Sequence, residues 1–248
     1  ARAPPVARVT MPEIPDLTDP RYLDEVGWFL YHEKYRRDGF GGSYDAERLA
    51  NSRLLRDEVA RYLDRDTRWF EDKTVVTIGC GCTGDLCAFP ASVKVAVDPL
   101  LYAYQHLGML VPDEAGARTV YLSQAAEALP LLDGFADLVI CRNALDHMPD
   151  PRVGLEEIGR ILADDGALFV SVDTGGEPTP DEPTVFSTES LAALVRERFE
   201  IVKLSDRNRP HSASRTGNVR ALARKLVPGR GRSLDKEQVL RAYEARLP

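Results

Sequence analysis

The chain has 248 residues, 44% of them apolar and 29% charged, and a net charge of −7 at neutral pH. A chain of this length holds a core without disulfide or metal staples. The acidic balance argues against a general nucleic-acid binder, which needs a basic footprint to meet phosphates, and no apolar run approaches the roughly 20 residues that span a bilayer. No signal-peptide pattern opens the sequence. The four cysteines are Cys80, Cys82 and Cys87, crowded together, and the distant Cys141, which is not the layout of a secreted disulfide framework. A reducing cytoplasm is the expected setting. A cysteine metal cluster is set below the reading of that segment as a ligand-binding glycine loop.

Residues 1–20 include Pro4, Pro5, Pro12, Pro15 and Pro20 with no apolar period and read as an extended lead-in. Residues 21–72 read as an N-terminal helical cap. Its first part is aromatic (Tyr22, Trp28, Phe29, Tyr31, Tyr35, Phe40, Tyr44), and the glycines around Phe40 divide it from a second helix. That helix places Leu49, Leu55, Val59, Tyr62 and Leu63 near one face. The aromatic part is either a lid, with Tyr31, Tyr35 or Tyr44 touching a ligand, or simple packing; a closing lid does both. His32, between charged neighbours, reads as solvated.

From residue 73 short apolar runs alternate with helical segments, and residues 73–226 read as the core. Residues 73–78, 93–97, 119–122, 136–141 and 167–172 each suit a strand buried in a parallel sheet, with two more strands near 199–204 and 219–224. The clearest helix covers 151–162, with Asp150 as N-cap and Pro151 as first residue. Leu155, Ile158 and Leu162 share its inner face, and Asp164-Asp165-Gly166 is predicted to stop it and turn the chain. Ser187 can cap a further helix through residue 198. Residues 227–248 read as a turn and an amphipathic C-terminal helix. The fold class is therefore α/β: a Rossmann-like, doubly wound, mostly parallel seven-stranded sheet with an N-terminal helical cap.

The segment Val75 to Gly84 is a strand running into a glycine-rich turn. Ligands in open α/β sheets bind beyond the carboxyl ends of the strands, where this turn sits. Gly79, Gly81 and Gly84 allow positive φ and close backbone approach. The next strand ends in Asp98, whose carboxylate can accept both hydroxyl hydrogens of a ribose. A dinucleotide needs its pyrophosphate on the N-terminus of a substantial helix, whereas only residues 85–92, interrupted by Pro90, separate Gly84 from the second strand.

With these residues in view, the chain resembles the class I S-adenosylmethionine-dependent methyltransferases over residues 75–172, and among them small-molecule O-methyltransferases of natural-product sugars. Four blocks carry the likeness in order: the turn up to Gly84, Val97-Asp98, Ala126-Glu127-Ala128-Leu129-Pro130, and the run from Phe135 to Val172. The resemblance implies that Gly79, Cys80, Gly81 and Gly84 pass under the methionine and ribose of S-adenosylmethionine, with S-adenosylhomocysteine as product. It places Asp98 on the ribose, Pro99 and Leu100 against the adenine, and Ala125, Ala126 and Glu127 along the adenine edge. Arg142 and Asn143 would line the methionine end. The sequence departs from the pattern in three places: Thr77 replaces a common acid, Cys82-Thr83 is one residue longer than usual, and Ala125 stands where an acid often holds the adenine amino group.

Methyl transfer to a neutral hydroxyl needs alignment and a base. His147, just past the fourth strand, is the preferred base, because an imidazole titrates near neutral pH. Asp173, ending the fifth strand, is its expected companion, in an arrangement that resembles the His and Asp of natural-product sugar O-methyltransferases. The bland readings are a capping histidine and a loop-capping carboxylate. Asp146, His147 and Asp173 could instead hold a divalent cation that orients a diol, although no metal is expected. The arginines from Arg207 to Arg232 read as a solvated face before an acceptor site. The leading function is O-methylation of a natural-product sugar or similar secondary metabolite, such as an antibiotic precursor, with a small-molecule acceptor and no nucleic-acid or membrane partner. N- or C-methylation, an NAD(P)-dependent oxidoreductase and a non-catalytic cofactor-binding module are the alternatives.

Overall fold

The computed structural model describes residues 19, 22–31, 44–82, 84–207 and 217–226. The lead-in apart from Asp19, the C-terminal helix, His32, Tyr35, Phe40, Thr83, Arg209, Arg215, Arg230 and Arg232 lie outside these residues. Two helices come first, α1 over residues 22–31 and α2 over Tyr44–Leu63. The sheet is then built from β1 (Thr74–Ile78), β2 (Val93–Val97), β3 (Thr119–Leu122), β4 (Ala136–Arg142), β5 (Leu162–Thr174), β6 (Phe199–Arg207) and β7 (Gly217–Lys225). Helices α3 (Leu101–His106), α4 (Pro151–Ile161) and α5 (Thr188–Arg196) connect them.

The strands lie in the order β3-β2-β1-β4-β5-β7-β6. The first five run parallel, while β7 is antiparallel to both β5 and β6. The order reverses between β1 and β4, so the chain ends of β1, β2 and β4 open one crevice, the usual ligand position in such sheets.

Period-2 alternation divides the core between the two faces. Val76, Ile78, Val139, Leu168 and Val170 point to one side and pack with Leu155 and Ile158 of α4 and Leu191 and Val195 of α5. Val75, Leu138, Ile140 and Phe169 point to the other, where Leu55, Val59 and Ala60 of α2 meet Phe70, Leu86 and Phe89. Asp150 accepts from the Arg152 N–H at the start of α4, with Pro151 beside it. A reciprocal Ser187–Ser190 capping box opens α5.

Asp164-Asp165-Gly166 does not make the expected turn. The chain enters β5 directly at Leu162, which pairs with Ala136, and the register then shifts so that Ala167 meets Leu138. The three residues form an irregularity inside one long strand. Gly166 permits it, because a Cβ there would lie 3.0 Å from the Ala136 carbonyl oxygen and 2.9 Å from Leu162 Cδ1.

A buried lysine fixes the entrance to the first half of the sheet. Lys94 of β2 is fully buried, and its ammonium donates to Asp113 Oδ1 at 2.6 Å and to the carbonyls of Ala115 at 2.7 Å and Leu86 at 3.2 Å. All three ammonium hydrogens have acceptors, which makes the buried charge tolerable. Asp113 also accepts from the N–H and hydroxyl of Thr119, so the segment between α3 and β3 is tied to both neighbouring strands.

Candidate active site

The glycine turn follows β1, and three of its residues adopt the left-handed region: Gly79 at φ +64°, Gly81 at +54° and Gly84 at +64°. Gly79 is needed for space as well as conformation. A Cβ there would lie 2.2 Å from Ala144 Cβ, so the turn after β4 rests against the bare glycine backbone. Residues 85–88 form only a turn before β2, and the described residues between β1 and β2 include no helix to offer a pyrophosphate its N-terminus.

Asp98 follows β2 and is buried. Its Oδ2 accepts from the N–H of Gly81 at 2.9 Å and its Oδ1 from the N–H of Leu100 at 2.8 Å. Each carboxylate oxygen keeps a second lone pair for a ligand hydroxyl. Burial pushes the Asp98 carboxyl above its usual range, while these two N–H groups and His147 pull against that shift. The segment after β3 closes the adjoining side, with the Gln124 N–H donating to the Asp98 carbonyl at 3.3 Å and the Ser123 hydroxyl to the Pro99 carbonyl at 3.0 Å. Ala126 lies one step deeper, in the α4-side core with Met148, while Glu127 is half-buried nearby.

The turn after β4 forms the third wall. Asn143 holds φ +46°, and its N–H donates to the Ser171 carbonyl at 2.7 Å. Its Oδ1 is buried with no hydrogen-bond partner among the described residues. Arg142 forms an ion pair with buried Asp85, joining this wall to the end of the glycine turn. Cys80 is buried and packs with Val26 and Phe29 of α1 and with Tyr104. Thr77, fully buried, lies two residues from Val75 and so on the α2 side of the sheet.

His147 is half-buried, with its N–H on the Ala144 carbonyl. Asp173 ends β5, the strand beside β4, but its Oδ1 accepts from Asn218 Nδ2 of β7 at 2.9 Å. A carboxylate brought near His147 is that of Glu182, whose Oε1 lies 3.9 Å from Nε2. The loop after β5 puts it there. Phe186 is buried and bridges Thr174, and the Gly175 N–H donates to the Phe186 carbonyl. The Thr184 N–H reaches back to the Asp146 carbonyl at 3.3 Å. Asp146, His147 and Glu182 offer ligand atoms within 4.8 Å of one another, so the residues that could meet a cation are not the expected set; Asp173 is held by Asn218 instead.

A second carboxyl arrives from the N-terminal cap. Helix α1 lies over the glycine turn, with Val26 and Phe29 buried against Cys80, Cys82, Leu100, Leu101 and Tyr104. Trp28 and Tyr31 are 51% and 58% exposed, so among the described aromatics of this helix it is Phe29 that seals the cap. Half-buried Glu25 is in electrostatic range of His147, Asp98, Asp181 and Asp146. Burial pushes its carboxyl up to about 7, the neighbouring acids add to the rise, and His147 opposes it. Neither Glu25 nor Glu182 stands out in the sequence, since each is an acid in a polar stretch far from the strands it meets.

All four cysteines are buried and none forms a disulfide. Burial pushes the Cys87 thiol up to about 12 and holds Cys80 well above the ordinary thiol range. Of the described arginines near the C-terminus, Arg220 pairs with Glu58 and Arg224 is exposed.

A glycine turn, a buried acid after β2 and a third wall after β4, at the switch point of a doubly wound sheet, define a Rossmann-like cofactor crevice. Comparison with known proteins makes the class specific. Residues 76–170 match the family described as methyltransferase domain. The chain is 31% identical over 114 residues to an uncharacterized methyltransferase of Bacillus subtilis, covering 45% of this chain and 43% of that protein. It is 35% identical over 102 residues to a ubiquinone biosynthesis O-methyltransferase of Paraburkholderia xenovorans, covering 40% and 44%. The chain thus spans less than half the length of these curated relatives. The solved structure of a Burkholderia thailandensis 1,6-didemethyltoxoflavin-N1-methyltransferase, with S-adenosylhomocysteine bound, superposes with a TM-score of 0.53 at 20% identity over 90% of this chain and 94% of that one. Residues 76–170 thus match a methyltransferase domain, and the sheet has the fold seen in solved S-adenosylmethionine-dependent methyltransferases. No helix among the described residues is long and apolar enough to cross a membrane.

Proposed function

We propose that the protein transfers a methyl group from S-adenosylmethionine to a hydroxyl of a small molecule, a natural-product sugar or similar secondary metabolite. The observation that carries the cofactor is the Gly81 N–H to Asp98 bond, which makes the glycine turn and the acid two walls of one crevice. Asp98 fits a ribose diol, with Pro99 and Leu100 toward the adenine. The buried, unpartnered Oδ1 of Asn143 fits an ammonium donor at the methionine end. Gly79, Gly81 and Gly84 supply backbone with no Cβ in the way, and Arg142 holds the far wall through Asp85. Bound there, S-adenosylmethionine supplies a methyl group made electrophilic by its sulfonium.

The protein's own work is positioning and proton removal. His147, at the carboxyl edge of β4, would accept the acceptor's hydroxyl proton as attack proceeds, a contribution of about 10²- to 10⁴-fold in well-placed cases. Helix α1 and the 175–186 loop would close over the reacting atoms and exclude water. A second reading, N-methylation of an amine, draws on the acids Asp146 and Glu182 beside His147, which suit a cationic acceptor. No metal enters the scheme.

Two measurements test it. Isothermal titration with S-adenosylhomocysteine should give micromolar affinity that Asp98→Ala weakens at least tenfold, with no comparable NAD(P) binding. A mass-spectrometric screen of hydroxylated and amino metabolites with S-adenosylmethionine then identifies the acceptor. Tight NAD(P) binding without S-adenosylhomocysteine binding would reverse the assignment.

A further inference from the structure

We infer that Glu25 reads the charge of the bound cofactor, favouring positively charged S-adenosylmethionine over neutral S-adenosylhomocysteine and so helping the spent product leave. The inference rests on the proposed cofactor and concerns a residue outside the methyltransferase domain match of 76–170.

Placement comes first. Helix α1 is anchored by Val26 and Phe29 on Cys80, Cys82, Leu100 and Leu101, so it crosses both the glycine turn and the segment after β2. Glu25 adjoins that anchor, next in sequence to buried Val26, and lies within electrostatic range of Asp98, Asp146 and His147. Those residues mark the ribose end and the methyl end of the proposed cofactor position, and the sulfonium is the group between ribose and methyl. Asp181 of the 175–186 loop adds a further carboxylate, and Tyr104 of α3 lies within electrostatic range as well. No lysine or arginine among the described residues forms an ion pair with Glu25.

The chemistry follows from this surplus of acids. A carboxyl half-buried among four groups, three of them acidic, gains most from a ligand that brings positive charge. Product formation removes that charge: the sulfonium becomes a thioether while every other part of the ligand stays the same. The amino and carboxyl groups of the methionine moiety occur in both ligands and cancel in a ratio of affinities. What remains is the sulfonium against Glu25 and its neighbours. The discrimination is therefore switchable, since Glu25 loses its proton near pH 7. Below that pH the group is neutral and the preference fades; above it the carboxylate is present and the preference is full.

The test is isothermal titration of the full chain with each ligand separately, at several pH values from 6 to 8.5, on the parent and on Glu25→Gln. The expected result is a ratio of affinities, S-adenosylmethionine over S-adenosylhomocysteine, that rises roughly three- to tenfold across this range in the parent, the size of a partly desolvated ion pair. In Glu25→Gln the ratio should stay near its low-pH value. If both ligands bind the parent but the ratio is flat with pH and unchanged in the variant, Glu25 has no such role and the cofactor assignment stands. If neither ligand binds the parent, the cofactor assignment fails and takes this inference with it. Should that variant fold poorly, Glu25→Ala takes its place in the same series.

Discussion

Replacing Gly79 by alanine probes the closest approach in the crevice. The added methyl would sit 2.2 Å from Ala144 Cβ, where a relaxed carbon contact needs roughly 3.5–4.0 Å. The residue also holds φ +64°, which costs an L side chain roughly 1–2 kcal/mol. Forcing a methylene into a packed site costs a further 1–3 kcal/mol or so. The two together come to about 3 kcal/mol, a sizeable share of the roughly 5–15 kcal/mol that holds a domain together. For a chain of this size that is a fall in Tm of roughly 6–12 °C, read by circular dichroism. S-adenosylhomocysteine affinity should fall with it, because the turn must shift to make room. A companion variant separates the two causes. Ala144→Gly in the Gly79→Ala background removes the opposing methyl and should recover the crowding part, about half the loss, but not the backbone part. A Gly79→Ala protein that melts within about 1 °C of the parent, or no recovery in the double variant, would refute the contact as the reason for the glycine.

Other outcomes follow from the same structure. His147→Ala should lower turnover with the identified acceptor about 10²- to 10⁴-fold while changing S-adenosylhomocysteine affinity less than twofold; equal turnover would remove its role as base. Asp98→Asn should weaken that affinity about 10- to 100-fold by calorimetry, since a carboxamide turns an NH₂ toward an N–H donor it must otherwise accept from. Lys94→Met should destabilise the fold by about 2–3 kcal/mol in urea titration, because it strands Asp113 and two carbonyls. Burial alone would raise the Asp113 carboxyl, but the bonds from Lys94 and Thr119 outweigh it and hold it below the usual range. Its contribution is thus complete above about pH 4 and is lost as pH falls through the lower folded value. Glu25 has the opposite sign. A carboxyl raised to about 7 binds its proton more tightly when folded, so stability declines from about pH 4.5 to 7 and then levels off. Glu25→Gln should match the parent near pH 4.5 and exceed its stability by about 1–3 kcal/mol at pH 8, provided α1 stays docked.

Local chemistry was legible where it acts over a few residues. The strands announced themselves as runs such as Val93 to Val97, and α4 through Asp150 and Pro151 at its start. The glycine turn and Asp98 were readable because a strand ending in small residues, followed by a strand ending in an acid, has few other uses. What escaped was set by distance along the chain. Glu182 meets His147 only because Phe186 anchors the intervening loop under Thr174. Asp173 could be placed on the rim because strand ends share it, but the bond its Oδ1 accepts from Asn218, which arrives antiparallel from β7, could not. Lys94 carried a signal that went unused: a charge inside a buried apolar run demands partners, and Asp113 was the nearby acid able to answer. Asp164-Asp165-Gly166 misled because a polar, glycine-bearing triplet reads as a turn, and only the narrow passage beside Ala136 shows that the glycine serves a strand.

The sealed thiols give the protein a built-in gauge of its own breathing. Cys80 and Cys82 lie beneath α1, while Cys87 is buried against Val111 and Cys141 within the sheet core. An alkylating reagent can reach the first pair only when the helix lifts, and the second pair only when a larger region comes apart. Two labelling rates from one reaction would therefore separate the opening of the cap from the opening of the body, and a bound ligand that slows only the faster one would mark the cap as the gate.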